Sequence, residues 1–145
     1  MKQQRFVSVA EDAALGVMMA ADHFEHTLAE ICARYGITTE QYGVLRILRE
    51  AYPDGRARGE VAERCIHSRA PDTTRMLDRL VREGFAKRAR DPDDRRCSLA
   101  TITKAGLALL ARMDPEIGAA MRRLTKSLSR PQLQQLTRLT DALVE

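Results

Sequence analysis

The chain has 145 residues, of which 44% are hydrophobic and 30% charged, and a net charge of +4. That length suits one domain with a real core, and the apolar share is too high for a disordered chain. No apolar run approaches the ~18 residues of a membrane span, Met1-Lys2-Gln3-Gln4-Arg5-Phe6 lacks the apolar centre of a secretion signal, and the three scattered cysteines Cys32, Cys65 and Cys97, outside any CxxC pair, read as reduced thiols of a cytoplasmic protein.

From Ser8 to about Ala33 the spacing predicts one long helix, because Val17, Ala21, Phe24, Leu28, Ile31 and Tyr35 recur at steps of three and four. Gly36 is placed to end it. Thr38-Thr39-Glu40-Gln41 is a capping-box pattern that opens a second helix through Val44, Leu45, Ile47 and Leu48. Tyr52-Pro53-Asp54-Gly55 is a turn. Two short helical patterns follow, Arg58 to Ile66 and Ala70 to Glu83, with a polar turn between them. Phe85 to Arg90 and Cys97 to Thr103 are short β-compatible runs around the Pro/Asp-rich connection Asp91-Pro92-Asp93-Asp94, which reads as a hairpin. Thr103 caps another helix through Leu107, Leu109, Leu110 and Met113, and Pro115 marks a break or a fresh start. The final helix is capped by Ser129, with Gln132 three residues on, and carries Leu133, Leu136, Leu139 and Leu143.

Helix, turn, helix and basic hairpin in that order is the layout of a winged helix-turn-helix, whose second helix enters the major groove of DNA. The charge agrees. Twelve basic and eight acidic residues lie between Arg56 and Arg96, so this segment holds the whole net charge of the chain, where phosphates would be neutralised. Arg95 and Arg96 at the hairpin tip suit a wing that reaches the negative potential of a narrow minor groove. The fold class is therefore mainly α with a small β-hairpin wing. The long apolar helices on either side have more stripe than one small reader can cover. Two-fold pairing through them would bury it and duplicate the reader to match a palindromic site. The organisation expected is a single domain over 1–145, with a DNA-binding region at 36–106 and dimerisation helices at 8–35 and 107–145.

Three stretches also resemble a known family, the MarR-type regulators of bacteria and archaea. They are Gly36-Ile37-Thr38-Thr39-Glu40-Gln41-Tyr42 with Val44-Leu45 and Leu48, Thr74-Arg75-Met76-Leu77-Asp78-Arg79-Leu80-Val81 with Gly84, and the wing Asp91 to Arg96 with Ile102-Thr103-Lys104-Ala105-Gly106. The resemblance implies a homodimeric winged helix protein, usually a repressor, often released from DNA by a small anionic or phenolic ligand. It places the family's wing Asp-x-Arg pair at Asp94 and Arg96, with the aspartate orienting the arginine. Ile102 stands where the family usually has leucine, and Cys65 to Asp72 is one residue longer than its common turn.

The candidate DNA-binding residues are Ser68, Arg69, Asp72, Thr74, Arg75, Arg79, Asp94, Arg95 and Arg96. At 100° per residue Thr73, Leu77, Leu80, Val81 and Gly84 share one helix face, leaving Asp72, Arg75, Arg79 and Arg82 opposite. Arg75, nearest the helix start, is the favoured base reader, and Arg79 is a phosphate contact or a partner of Asp78 or Glu83. Met18, Met19, His23, Tyr42 and Met113 either line a ligand cavity or belong to the core. His23 and His26 could lie on one helix face, but a metal site needs three or four convergent ligands, and neither a metal nor a cofactor is expected. No catalytic signature is present, so an enzyme is not expected. Competing readings are an architectural DNA-binding protein without ligand control and a helical adaptor that binds protein.

Overall fold

The computed structural model describes residues 8–65 and 70–145, without the side chains of Ala70 and Pro71. Helix α1 spans Val9–Arg34. Ser8 caps it, with its side chain accepting from Glu11 N–H while Glu11 returns a bond to the Ser8 amide. Its end is closed by the Ile37 N–H reaching back to the Cys32 carbonyl, with Gly36 at φ +75° supplying the left-handed turn. Helix α2, Thr39–Glu50, starts with the capping box of Thr38 and Gln41 and buries Val44, Leu45, Ile47 and Leu48. Strand β1 (Arg56–Ala57) leads into α3 (Arg58–Arg64), and α4 spans Ala70–Arg82. Strands β2 (Ala86–Arg90) and β3 (Ser98–Ile102) form the hairpin, and α5 (Lys104–Leu124) and α6 (Arg130–Val144) complete the chain.

The sheet has three antiparallel strands in the order β1-β3-β2. Arg88 pairs with Ala100 on one side of β3 and Arg56 with Ala100 on the other. The sequence did not announce β1, since two residues carry no alternation and its pairing is a main-chain matter. Gly55 makes it possible. It sits at φ +85°, and a Cβ there would lie 2.7 Å from the Ala100 carbonyl oxygen.

Leu45, Leu48, Leu77, Leu80, Ile102 and Leu110 are all fully buried, which joins α2, α4, β3 and α5 in one core. Each such side chain contributes about 1.5–3 kcal/mol by leaving water. Thr103 and Gly106 tie α5 to this core. Thr103 donates through Oγ1 to the Gly84 carbonyl at 2.7 Å and accepts from Gly106 N–H at 3.1 Å.

Pro115 does not break the chain direction: α5 runs through it without interruption. An interior proline costs ~3 kcal/mol, and α5 is anchored to the rest of the fold on both sides of it. Met113 is fully buried, Arg49 Nη1 holds both oxygens of Asp114 at 2.8 and 3.1 Å, and Arg34 pairs with Glu116 at 3.2 Å. Helix α6 has no buried residue, with Leu139 and Leu143 58% and 68% exposed. Met18 and Met19 on α1 are exposed in the same way.

Candidate nucleic-acid interface

Helix α4 is divided lengthwise. Thr73, Leu77 and Leu80 are buried at spacings of four and three, while Arg75, Arg79 and Arg82 form an exposed strip opposite. Two neighbours grip its N-terminal half. Arg58, the first residue of α3, donates to Thr74 Oγ1 at 3.2 Å. Arg88 on β2 pairs with Asp78 at 3.0 Å and reaches the Thr74 carbonyl at 3.5 Å. At the far end Arg79 Nε meets Glu83 at 3.3 Å, and Glu83 in turn accepts from Gln41 Nε2 at 2.9 Å. The exposed strip is thus fixed relative to both the wing and α2. Asp72, also exposed, lies in the first turn of α4, where a negative charge complements the helix dipole.

The wing tip is organised by Asp94. Its Oδ1 accepts from the Arg96 N–H at 3.0 Å, its carbonyl accepts from the Cys97 N–H at 2.9 Å, and its Oδ2 faces the Cys97 thiol at 3.6 Å. Asp91 does the same one step earlier, accepting from the Asp93 N–H at 2.9 Å. The expected link between Asp94 and Arg96 is therefore made through the main chain, and the Arg96 guanidinium has no acidic partner among the described residues. Arg95 and Arg96 are both exposed. Arg96 borders a cavity of about 320 Å³ between wing and reader that Arg58 and Arg88 also line.

The structure brings Thr74, Arg75 and Arg79 together on α4 and sets Asp94, Arg95 and Arg96 at the tip beyond it. Ser68 and Arg69 lie outside the described residues, as does half of the Cys65 to Asp72 stretch. Arg58 and Arg88 were missed as members of the surface. The period of two along β2 carried a signal for Arg88, because it puts that residue on the same face as buried Ala86 and so toward α4.

The four candidate ligand residues have different surroundings. Met18 and His23 are exposed on α1, and Met113 on α5 is fully buried. Tyr42 borders a cavity of about 390 Å³ between α1, α2 and α3 that is also lined by Leu28, Arg46, Ile47, Glu50 and Arg64. Helical spacing correctly puts Met113 on an apolar face but cannot tell a cavity wall from a filled core. The Arg46 guanidinium lies 5.9 Å from the centre of the Tyr42 ring, and burial pushes the Tyr42 hydroxyl pKa up.

Cys32 and Cys97 both have raised pKa values, the opposite of a reactive thiolate. Burial raises Cys32 to about 11. Cys97 is exposed rather than packed as a small apolar residue, and its hydrogen bond to Asp94, then the charge of Asp94, raises its pKa. Among the described residues there is no cluster of three or more metal-ligating side chains, and no helix is long and apolar enough to cross a membrane.

Comparison with known proteins decides what this surface belongs to. The profile of the MarR family matches residues 37–98, from the entrance of α2 to the start of β3. A homoprotocatechuate degradative operon repressor from Escherichia coli is 30% identical over 114 residues, which cover 79% of this chain and 75% of that protein. The chain belongs to the MarR family. Among solved structures, a MarR transcription factor from Planctomyces limnophilus is 33% identical, with a TM-score of 0.71 and 95% and 99% of the two chains covered. A MarR mutant from Escherichia coli in complex with operator DNA is 28% identical, with a TM-score of 0.80 and 93% and 96% covered. MarR proteins are winged helix transcriptional regulators and not enzymes.

Proposed function

We propose that this chain is a cytoplasmic, homodimeric repressor that binds a palindromic duplex operator and leaves it when a small anionic or phenolic ligand binds. The observation that carries the reading is the set of exposed arginines, Arg75, Arg79 and Arg82 on α4 and Arg95 and Arg96 on the wing that follows it. Arg75 reads base edges in the major groove, where arginine meets guanine in bidentate fashion. Arg79 holds phosphate, Arg96 enters the minor groove, and Asp72, Thr74, Asp94 and Arg95 stand beside them. Ser68 and Arg69 precede α4, where a reader helix meets the backbone. The operator complex of the Escherichia coli MarR mutant supports this assignment.

Dimerisation falls to the terminal helices, where Met18 and Met19 of α1 and Leu136, Leu139 and Leu143 of α6 have no cover within one protomer. The ligand site is the cavity between α1, α2 and α3. Arg46 and Arg64 offer charge to an anion, Tyr42 offers a hydroxyl, and Leu28 and Ile47 supply an apolar floor. Repression by the homoprotocatechuate operon repressor supports the direction of control.

The test is fluorescence anisotropy of a labelled duplex from the chain's own upstream region, with sedimentation of the free protein. The expected results are a dimer twice the 16.3 kDa chain mass and a log affinity that falls by ~0.9 per phosphate neutralised as log salt rises. An aromatic carboxylate such as benzoate should release the duplex. Binding indifferent to salt would overturn the DNA reading in favour of a protein-binding adaptor.

A further inference from the structure

We infer that Gln41, on a different helix from the reader, is a positioning residue for the DNA contact of Arg79 and acts through Glu83. The inference rests on the DNA-binding reading above and adds a part to it.

Gln41 is the third residue of α2 and only 1% exposed. Its Oε1 accepts from the Thr38 N–H at 2.9 Å, which fixes the amide the other way round at its second end. Nε2 therefore points at α4 and donates to Glu83 Oε2 at 2.9 Å. The other oxygen of the same carboxylate, Oε1, accepts from Arg79 Nε at 3.3 Å. The Glu83 carboxylate is thus held on both sides, by a buried amide and by an exposed arginine.

This geometry leaves Arg79 useful. The contact to Glu83 takes Nε, while neither Nη makes a hydrogen bond among the described residues. A guanidinium held by Nε presents both Nη groups outward as a fork suited to phosphate. By itself the Arg79–Glu83 pair is a helix-surface contact of the kind worth a few tenths of a kcal/mol, too weak to hold a long side chain. The bond from buried Gln41 restrains Glu83, so the order of Arg79 is inherited from α2.

Capping alone does not need glutamine. A capping box works with glutamate at the third position as well as with glutamine. Glutamate would keep the bond to the Thr38 N–H and would suit the helix dipole. It has no N–H to give Glu83, and it sets a second carboxylate against the first. Gln41→Glu therefore separates the cap from the relay.

The experiment is a double-mutant cycle in the full chain with Gln41→Glu, Arg79→Ala and the pair, measured by anisotropy on an operator duplex and an unrelated duplex over a range of salt, with melting temperatures alongside. Gln41→Glu is expected to weaken both duplexes by about threefold or more, the size of coupling seen between members of one network. It should lower the salt slope by about one, as loss of a phosphate contact does. Arg79→Ala should give the same pattern, and the double variant should bind no worse than Arg79→Ala. Affinity of Gln41→Glu should recover as the pH is lowered, when the two carboxylates share a proton and the bond reforms. Glu83→Ala, at a partly exposed site, should reproduce the loss even if Gln41→Glu folds poorly. Unchanged binding in folded Gln41→Glu, or losses from Gln41 and Arg79 that simply multiply, would overturn the relay. A wild-type chain that binds no duplex at all would overturn the DNA reading itself and the relay with it.

Discussion

Asp94 holds Arg96 by its main chain: Oδ1 accepts the Arg96 N–H at 3.0 Å and leaves the guanidinium uncommitted. The same carboxylate takes the Cys97 thiol on its other oxygen. One aspartate thus shapes the wing tip and keeps its arginine available for a partner.

Removing each residue should have different effects. Arg96→Ala leaves the turn intact, so stability should change by no more than ~0.5 kcal/mol, while operator affinity falls at least about tenfold, or ~1.4 kcal/mol. Asp94→Ala should weaken binding less, by loosening the tip. It should also relieve the raised pKa of Cys97, so iodoacetamide labelling of that thiol at neutral pH should speed up. Labelling unchanged by Asp94→Ala would show that the carboxylate does not govern the thiol.

Gly106→Ala tests the join between wing and α5. A Cβ at residue 106 would run into the Phe85 carbonyl and lie 2.6 Å from Ile102 Cγ1. Forced overpacking of this kind costs about 1–3 kcal/mol, which urea unfolding should resolve. Gly43→Ala, where a Cβ meets nothing within 4 Å, is the matched control and should be neutral or slightly stabilising.

Arg75→Ala should cost about 1–3 kcal/mol on the operator and relax discrimination at one or two base pairs in each half-site. Equal losses on operator and unrelated duplex would assign Arg75 to phosphate instead.

Stability should fall at high pH through Cys32. Its thiol is raised from 9.0 to about 11 by burial, with Glu25 adding to the shift. A raised pKa means that the folded state keeps the proton which the unfolded chain gives up. The contribution is complete below pH 9 and disappears as the pH rises toward about 11. Tyr42 shifts in the same direction. Cys32→Ala should be less stable than wild type at neutral pH, because it leaves a cavity, yet lose less between pH 9 and 11 in chemical denaturation. Parallel pH profiles would contradict the assignment.

What could be read from the sequence follows from which forces are local. Ser8, Thr38, Thr103 and Ser129 each cap the helix that begins beside them, because a cap involves only the next three residues. The buried strip of α4 was equally legible from spacing. Strand β1 was not, since Arg56 and Ala57 are in a strand only because Leu99 and Ala100 lie alongside. Pro115 misled for a similar reason, as the contacts that carry α5 past it come from Arg34 and Arg49, far away in sequence. For Met18, His23, Tyr42 and Met113 the sequence left cavity and core open, because helix periodicity does not say what stands opposite; Met113 lies in the core.

Selection of binding sites from a random duplex library, followed by sequencing, tests the central claim most directly. A dimeric operator reader predicts enrichment of an inverted repeat whose half-site centres lie about one helical turn, ~34 Å, apart. Recovery of duplexes with no common motif, bound only through charge, would contradict the regulator and leave an architectural DNA-binding protein in its place.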